Sequence, residues 1–276
     1  MMNVLKAYTQ LSKQYENNEF VNSLVVRIIL SYLQNYKTTE DFYMHLSDEF
    51  NLIDKARVYL KKISEGYPYQ YLIKTATFNG ADYYVDERVL IPRMETEELV
   101  QEVLSYVENQ DLVIGDVCTG SGCIAIEIKK HSSNSKVYGS DISLDAINVA
   151  NINAKNMGID VIFLSGDLLL PFIDNDIRLD VLVSNPPYIQ NRDEVDENVI
   201  NYEPNLALFA EHGIDYYERI LKDYSLVMNS HGAIFFEFNY DQKNALEDLI
   251  NKYVKDAKYE FYKDTFGKWR YVKIIF

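Results

Sequence analysis

Basic charge is the first thing this 276-residue chain is short of: 27 Lys and Arg stand against 42 Asp and Glu, a net charge of −15. Proteins that hold duplex nucleic acid neutralise phosphates with a basic footprint, and this composition offers none. Direct nucleic-acid binding is therefore disfavoured against a protein or small-molecule partner. The deficit is local. Residues 1–70 carry eight basic and eight acidic residues, whereas residues 71–276 carry 19 and 34. Cysteine is nearly absent: Cys118 and Cys123 lie too close together for a useful staple, which points to a reduced, cytoplasmic setting. No run of 18 or more apolar residues offers a membrane-spanning helix, and Met1–Lys6 has no apolar signal core. Histidine is limited to His45, His131, His212 and His231, all away from the chemistry-bearing motifs. No metal is expected. Repeats and low-complexity segments are lacking as well.

Proline and glycine are missing until Gly66. Over residues 3–64 the apolar positions follow a helical pattern: Phe20, Leu24, Ile28 and Tyr32 recur every fourth residue, with Val21, Val25 and Leu33 beside them. Asn51 is placed to cap a further helix carrying Ile53, Val58, Leu60 and Ile63. Residues 1–70 thus read as a small helical bundle, closed by the turn Gly66-Tyr67-Pro68. Residues 71–92 read as a linker containing a hairpin around Asn79-Gly80. Ile91-Pro92-Arg93 leads into a helix whose early acids Glu95, Glu97 and Glu98, with Thr96, suit a helix N-terminus and have capping as their simplest role.

Residues 93–276 alternate between strand and helix patterns, the signature of an α/β sheet that is mostly parallel. Strands are expected at 111–117, 136–140, 160–164, 179–184 and 232–238, with helices from 123, over 143–157, 214–228 and 241–253. The last two strands, 259–262 and 270–276, lie too close for a crossover helix and should form an antiparallel hairpin.

Four strand ends carry the chemistry. After the first comes Asp116-x-Cys118-Thr119-Gly120-Ser121-Gly122, a tight loop opening a helix, where small residues let backbone N–H groups approach a ligand. Asp141, about twenty residues on, ends the second strand, where a carboxylate can accept ribose hydroxyls. Asp167 with Leu168 follows the third, placed to meet an adenine amino group. Asn185-Pro186-Pro187-Tyr188 follows the fourth. Two prolines cannot donate hydrogen bonds or continue a strand, so they hold the backbone stiff just past its end. A loop alone is weak evidence, and a proline turn that merely closes a strand is the simple alternative. The four together form a strong set.

That set resembles the class I S-adenosylmethionine-dependent methyltransferases, and among them the release-factor glutamine N5-methyltransferase family. The likeness extends through Pro68–Leu72, Phe78-Asn79-Gly80, Val89–Glu97, Asn185–Ile189, Tyr202-Glu203-Pro204, Ala207-Leu208 and Lys263–Arg270. It implies a Rossmann-like catalytic domain behind an N-terminal substrate-recognition bundle. It also implies S-adenosylmethionine as cofactor, held by Cys118–Gly122, Asp141, Asp167, Leu168 and Asn185. The implied substrate is the glutamine of the Gly-Gly-Gln loop in peptide-chain release factors. Asn185 and Pro186 would accept from its amide, with Pro187 and Tyr188 shaping the pocket. A monomer is expected. The sequence departs from the family at two places: Cys118 stands where the first glycine is usual, implying a strained φ or a closer contact, and Met94 stands where proline is usual. Rivals are an enzyme methylating the conjugated amine of a base in RNA or DNA, and a non-catalytic protein that retained the fold.

Overall fold

In a computed structural model, which describes residues 2–108 and 110–276, the chain divides into two compact units between Thr75 and Ala76. The division lies beyond the expected boundary at residue 70.

The first unit contains helices Val4–Gln14, Ser23–Gln34, Thr39–Met44, Ile53–Ser64 and Tyr69–Ile73. Polar caps start three of them. Asn3 Oδ1 accepts from Lys6 N at 2.9 Å, Asn22 Oδ1 accepts from Val25 N at 3.0 Å, and Thr38 forms a capping box with Asp41. The fourth helix departs from expectation: Leu52, not Asn51, precedes it, with no side-chain cap. The apolar stripe also sits elsewhere. Val25, Val26, Ile29 and Leu30 are buried, whereas Leu24 is 50% and Tyr32 44% exposed. A strict spacing of four drifts by about 40° per step around a helix of 3.6 residues per turn, so such a row leaves the packed face.

The second unit begins with a hairpin, β1 (Ala76–Phe78) and β2 (Ala81–Tyr83), paired antiparallel around Asn79-Gly80. This segment is no slack connection. Phe78 and Tyr83 are fully buried, and Tyr83 Oη donates to Glu127 Oε1 at 2.8 Å. Asn153 Nδ2 donates both to Tyr84 O at 3.0 Å and to Ser121 O at 2.9 Å, tying the hairpin exit to the glycine loop.

The main sheet has seven strands: β3 (Val113–Val117), β4 (Lys136–Asp141), β5 (Ile162–Ser165), β6 (Leu179–Ser184), β7 (Met228–Glu237), β8 (Lys258–Lys263) and β9 (Trp269–Ile275), in spatial order β5-β4-β3-β6-β7-β9-β8. The first five in that order run parallel, and β9 lies antiparallel between β7 and β8. Along β7 the side chains alternate between two cores: Ile234 and Phe236 join the cluster with Tyr217 and Leu246, while Ala233 and Phe235 join that with Leu99 and Ile124. Both faces are therefore covered, as parallel sheets require.

Three short helices have no clear pattern in the sequence: Leu170–Asp174, Glu197–Tyr202 and Asn205–Leu208. The helix expected over 214–228 covers only Asp215–Asp223 and gives way to a 3₁₀ turn, so that Met228 already belongs to β7. The strand order reverses direction at β3, which pairs with both β4 and β6. In open α/β sheets the crevice at such a switch point, outside the carboxyl ends of the strands, receives the ligand.

Candidate active site

The loop after β3 opens the crevice. Asp116, buried at the strand end, accepts from Thr119 Oγ1 at 2.6 Å and from Ala125 N at 3.3 Å through Oδ2. Its Oδ1 has no partner among the described residues, and burial pushes the carboxyl up to about 7. Asp116 thus braces the loop from beneath rather than reaching a ligand. Gly122 has φ +80 and packs tightly; a Cβ there would sit 3.0 Å from both Ala150 Cβ and Phe163 Cζ. Gly120 has φ +55 and nothing within 4 Å of where its Cβ would stand, so its bare backbone faces open space.

Cys118 adopts φ +63, the left-handed conformation that glycine would hold without cost. The strained backbone expected from this departure is present. Burial, with the carboxylates of Asp141 and Asp116, holds the thiol well above its usual range, so it stays protonated and is no nucleophile. Cys118→Val, placing a β-branched residue in that conformation, should lower stability by about 1–3 kcal/mol in urea unfolding, while Cys118→Gly should stay within about 1 kcal/mol. Equal midpoints for the two variants would show that φ at this position carries no cost.

Asp141 ends β4 across from that loop. Its Oδ2 accepts from Gly120 N at 2.9 Å and its Oδ1 from Ser143 N at 2.9 Å, which pre-sets both oxygens at the mouth of the crevice. Burial raises its pKa and these two bonds oppose the shift. Ile142, next to it, is 54% exposed, an apolar side chain left at a strand end where a ligand would cover it. Asp167 borders the same space, but its Oδ2 is already ion-paired with Arg219 Nη2. Leu168, at φ +48, is buried beside it, and its carbonyl accepts from Ser140 Oγ at 3.2 Å.

Cys118–Ser121, Asp141, Ile142, Asp167 and Leu168 line a cleft, open to solvent, that continues to Asn185 and Pro187. A second cavity lies beyond, lined by Pro186, Tyr188, Ile189, Glu194, Val195 and Asp196 among others, and Asn185 borders both. The two spaces also share Leu90, Arg93 and Ala207. The candidate residues are therefore gathered at one crevice, with Cys118–Ser121, Asp141, Asp167, Leu168 and Pro187 on one side of Asn185 and Pro186 and Tyr188 on the other. Gly122 supports the loop from behind. None of the four histidines lines either cavity.

Sequence reasoning missed several contributors. Thr96, expected only to cap its helix, is buried at the crevice and accepts from Asn185 Nδ2 at 3.3 Å. Glu97 and Glu98 likewise serve tertiary contacts, accepting from Asn79 N at 2.9 Å and Thr265 N at 3.1 Å. Glu203 is buried and clamps the opposite wall, accepting from Ile91 N at 3.1 Å and Arg93 Nη2 at 2.5 Å. Both segments, Val89–Glu97 and Tyr202-Glu203-Pro204, stand out in the sequence by their resemblance to the family, which gave Glu203 no role of its own. Tyr188 is half-buried against the core, and burial raises its phenol. Its carbonyl accepts from Gln242 Nε2 at 2.8 Å, which anchors the far end of the proline turn.

Residues 95–204 match the family described as Methyltransferase small domain. The release factor glutamine methyltransferase of Staphylococcus aureus is 39% identical over 240 residues, covering 85% of this chain and 86% of the relative. That of Mycoplasma mycoides is 33% identical, covering 95% and 96%. Among solved structures, a methyltransferase from Pyrococcus furiosus superposes with a TM-score of 0.53 at 16% identity, over 81% of this chain and 98% of that one, a likeness of fold.

Proposed function

The chain belongs to the release factor glutamine methyltransferase family, and we propose that it moves a methyl group from S-adenosylmethionine to the side-chain amide nitrogen of the glutamine in the Gly-Gly-Gln loop of peptide-chain release factors. It has the class I methyltransferase fold and is an enzyme of protein glutamine methylation. The observation that carries the finer reading is the position of Asn185 between two cavities, one for a donor and one for an acceptor.

The residues of the first cleft fit the cofactor. Gly120 leaves backbone exposed, Asp141 offers a pre-set carboxylate to a diol, and Ile142 and Leu168 offer apolar surface to a base. When bound, S-adenosylmethionine supplies a sulfonium-activated methyl group and leaves as S-adenosylhomocysteine. The protein's own contribution is to place the acceptor nitrogen. A substrate amide is a poor nucleophile because its lone pair is delocalised into the carbonyl. Acceptors at its two N–H groups hold it with that lone pair facing the first cleft. The Asn185 side-chain oxygen and the Pro186 carbonyl are those acceptors. Pro186 fixes the angle of its carbonyl, and Pro187, lacking an N–H, leaves that oxygen without a local competitor. Tyr188 borders the amide pocket. No strong base is needed, because the proton can leave after transfer, and none of the four histidines lines either cavity.

The helical unit at the N-terminus is assigned to recognising the release factor. The acidic excess over residues 71–276 suits a loop that works against ribosomal RNA and is correspondingly basic. The association rate with a release factor should accordingly fall as ionic strength rises; a rate indifferent to salt in stopped-flow measurements would exclude steering. The deciding assay offers labelled S-adenosylmethionine with release factor, tRNA and DNA in parallel. Label on the glutamine of the release factor supports the reading. Label on a nucleic acid alone would replace it with base-amine methylation.

A further inference from the structure

The acceptor cavity beyond Asn185 has an uneven supply of charge. Glu194 and Asp196, both exposed, line it, and among the described residues Arg93 is the only cation that does so. Carboxylates accept hydrogen bonds and cannot give them, so Arg93 is the charged donor available to an oxygen of the substrate. Three arginines line the first cleft, and each is ion-paired. Arg88 commits Nε and Nη2 to Asp86, at 2.8 and 2.7 Å, and Arg219 pairs with Asp167. Of the three, only Arg93 also borders the second cavity. It commits Nη2 alone, to Glu203 Oε1, and its Nε and Nη1 have no partner among the described residues.

Glu203 holds this arginine firmly. The Glu203 side chain is 2% exposed, against 36% for Arg93. Its second oxygen accepts from Ile91 N at 3.1 Å, so one buried carboxylate grips both the guanidinium and the backbone two residues before it. It thereby ties residues 90–93 to residues 203–207. Those two segments supply Leu90, Arg93 and Ala207, which together with Asn185 are the residues common to both cavities.

We propose that Arg93 is a substrate-binding residue, donating from its uncommitted nitrogens to a main-chain carbonyl of the acceptor protein beside the target glutamine, and that Glu203 is the positioning residue that aims it. This rests on the reading of the substrate as a protein glutamine, and it names the part of that protein the site grips. Charge selects the ligand. Arg93 and Glu203 together are neutral, and the same cavity carries Glu194 and Asp196. A phosphate or carboxylate entering there would meet net negative charge. A peptide carbonyl has no charge to be repelled, and its oxygen accepts well from a guanidinium. The neutrality of the pair argues equally against the carboxylate of S-adenosylmethionine as the partner of Arg93. The fixed fork of a guanidinium lets one nitrogen stay on Glu203 while others serve the substrate, which a lysine ammonium does less rigidly.

Steady-state kinetics of the full-length enzyme with a release factor, and calorimetry with S-adenosylmethionine, test this. Arg93→Met keeps the apolar stem and removes the donors. KM for the release factor should rise roughly tenfold to hundredfold, the worth of hydrogen bonds from a charged donor, with cofactor affinity unchanged. That variant leaves Glu203 buried without its cation, so Arg93→Met combined with Glu203→Gln is measured beside it: the new amide oxygen still accepts from Ile91 N, and no charge is orphaned. Glu203→Gln alone should raise KM for the release factor by a smaller factor, and should add nothing once Arg93 is gone, because it acts through that arginine. Arg93→Lys should fall between wild type and Arg93→Met. A wild-type KM for the release factor in Arg93→Met overturns the proposal, as does a rise matched by an equal loss of cofactor affinity, which would give Arg93 to the cofactor. A Glu203→Gln factor that persists undiminished in the double variant removes Glu203 from positioning. The substrate reading fails separately, in the wild type itself, if nucleic acid is labelled and release factor is not; the peptide carbonyl then falls with it.

Discussion

Asn185→Ala is expected to bind S-adenosylmethionine as the wild type does and to lose roughly 10²–10³ in turnover, the scale of removing one preorganised polar contact from a reacting centre. The two halves of that expectation come from different features. Asn185 is held from behind by Thr96 and borders both cavities, so its loss removes an acceptor where the two meet. The remainder of the first cleft is built independently on the loop after β3 and on Asp141. Pro186 and Pro187 keep the turn stiff without the asparagine, so the acceptor would still enter but would be poorly oriented. Turnover near that of the wild type would remove Asn185 from the reaction, while a collapse of cofactor affinity measured by calorimetry would make it part of the donor site instead.

Asp141→Ala should show the reverse pattern. Its carboxylate accepts from both Gly120 N and Ser143 N, so truncation strands two backbone donors and removes the acceptor proposed for the ribose hydroxyls. A hydrogen bond to a charged acceptor is worth about 1.5–3 kcal/mol, and about 1.4 kcal/mol is tenfold in affinity. Cofactor affinity should therefore fall at least roughly tenfold to hundredfold. Asp141→Asn retains one acceptor oxygen and should lie between. Unchanged affinity in Asp141→Ala by calorimetry would refute the ribose assignment. The contrast between the two variants matters more than either value, because general unfolding would depress both properties in both proteins.

How much of this was legible along the chain depends on the kind of interaction. The strands were readable because buried parallel strands are continuous apolar runs, as in Leu179-Asp180-Val181-Leu182-Val183. The loop, the two acids and the proline turn were readable because each sits next to the strand it terminates. The helical bundle was recognised as helical, but its packed face was misplaced, since a run as apolar as Ser23–Leu33 offers several stripes and only neighbouring helices choose among them. The short helices Glu197–Tyr202 and Asn205–Leu208 carry too few residues for any periodicity to register.

Local order was enough to identify four strand ends, a glycine-rich loop and a stiff proline turn, because backbone constraint and strand burial are written in consecutive residues. The partners of those groups were not written there. Thr96 meets Asn185 across 89 positions, Arg93 meets Glu203 across 110, and Asp167 meets Arg219 across 52. Such pairs exist only because the sheet brings the ends of β4, β3, β6 and β7 to one edge. Their residue types are equally at home on a solvated surface. Burial, reinforced by the Glu95 carboxylate, turns Glu237 from one acid among many into a carboxyl pushed up to about 7, and burial is a property of the folded molecule.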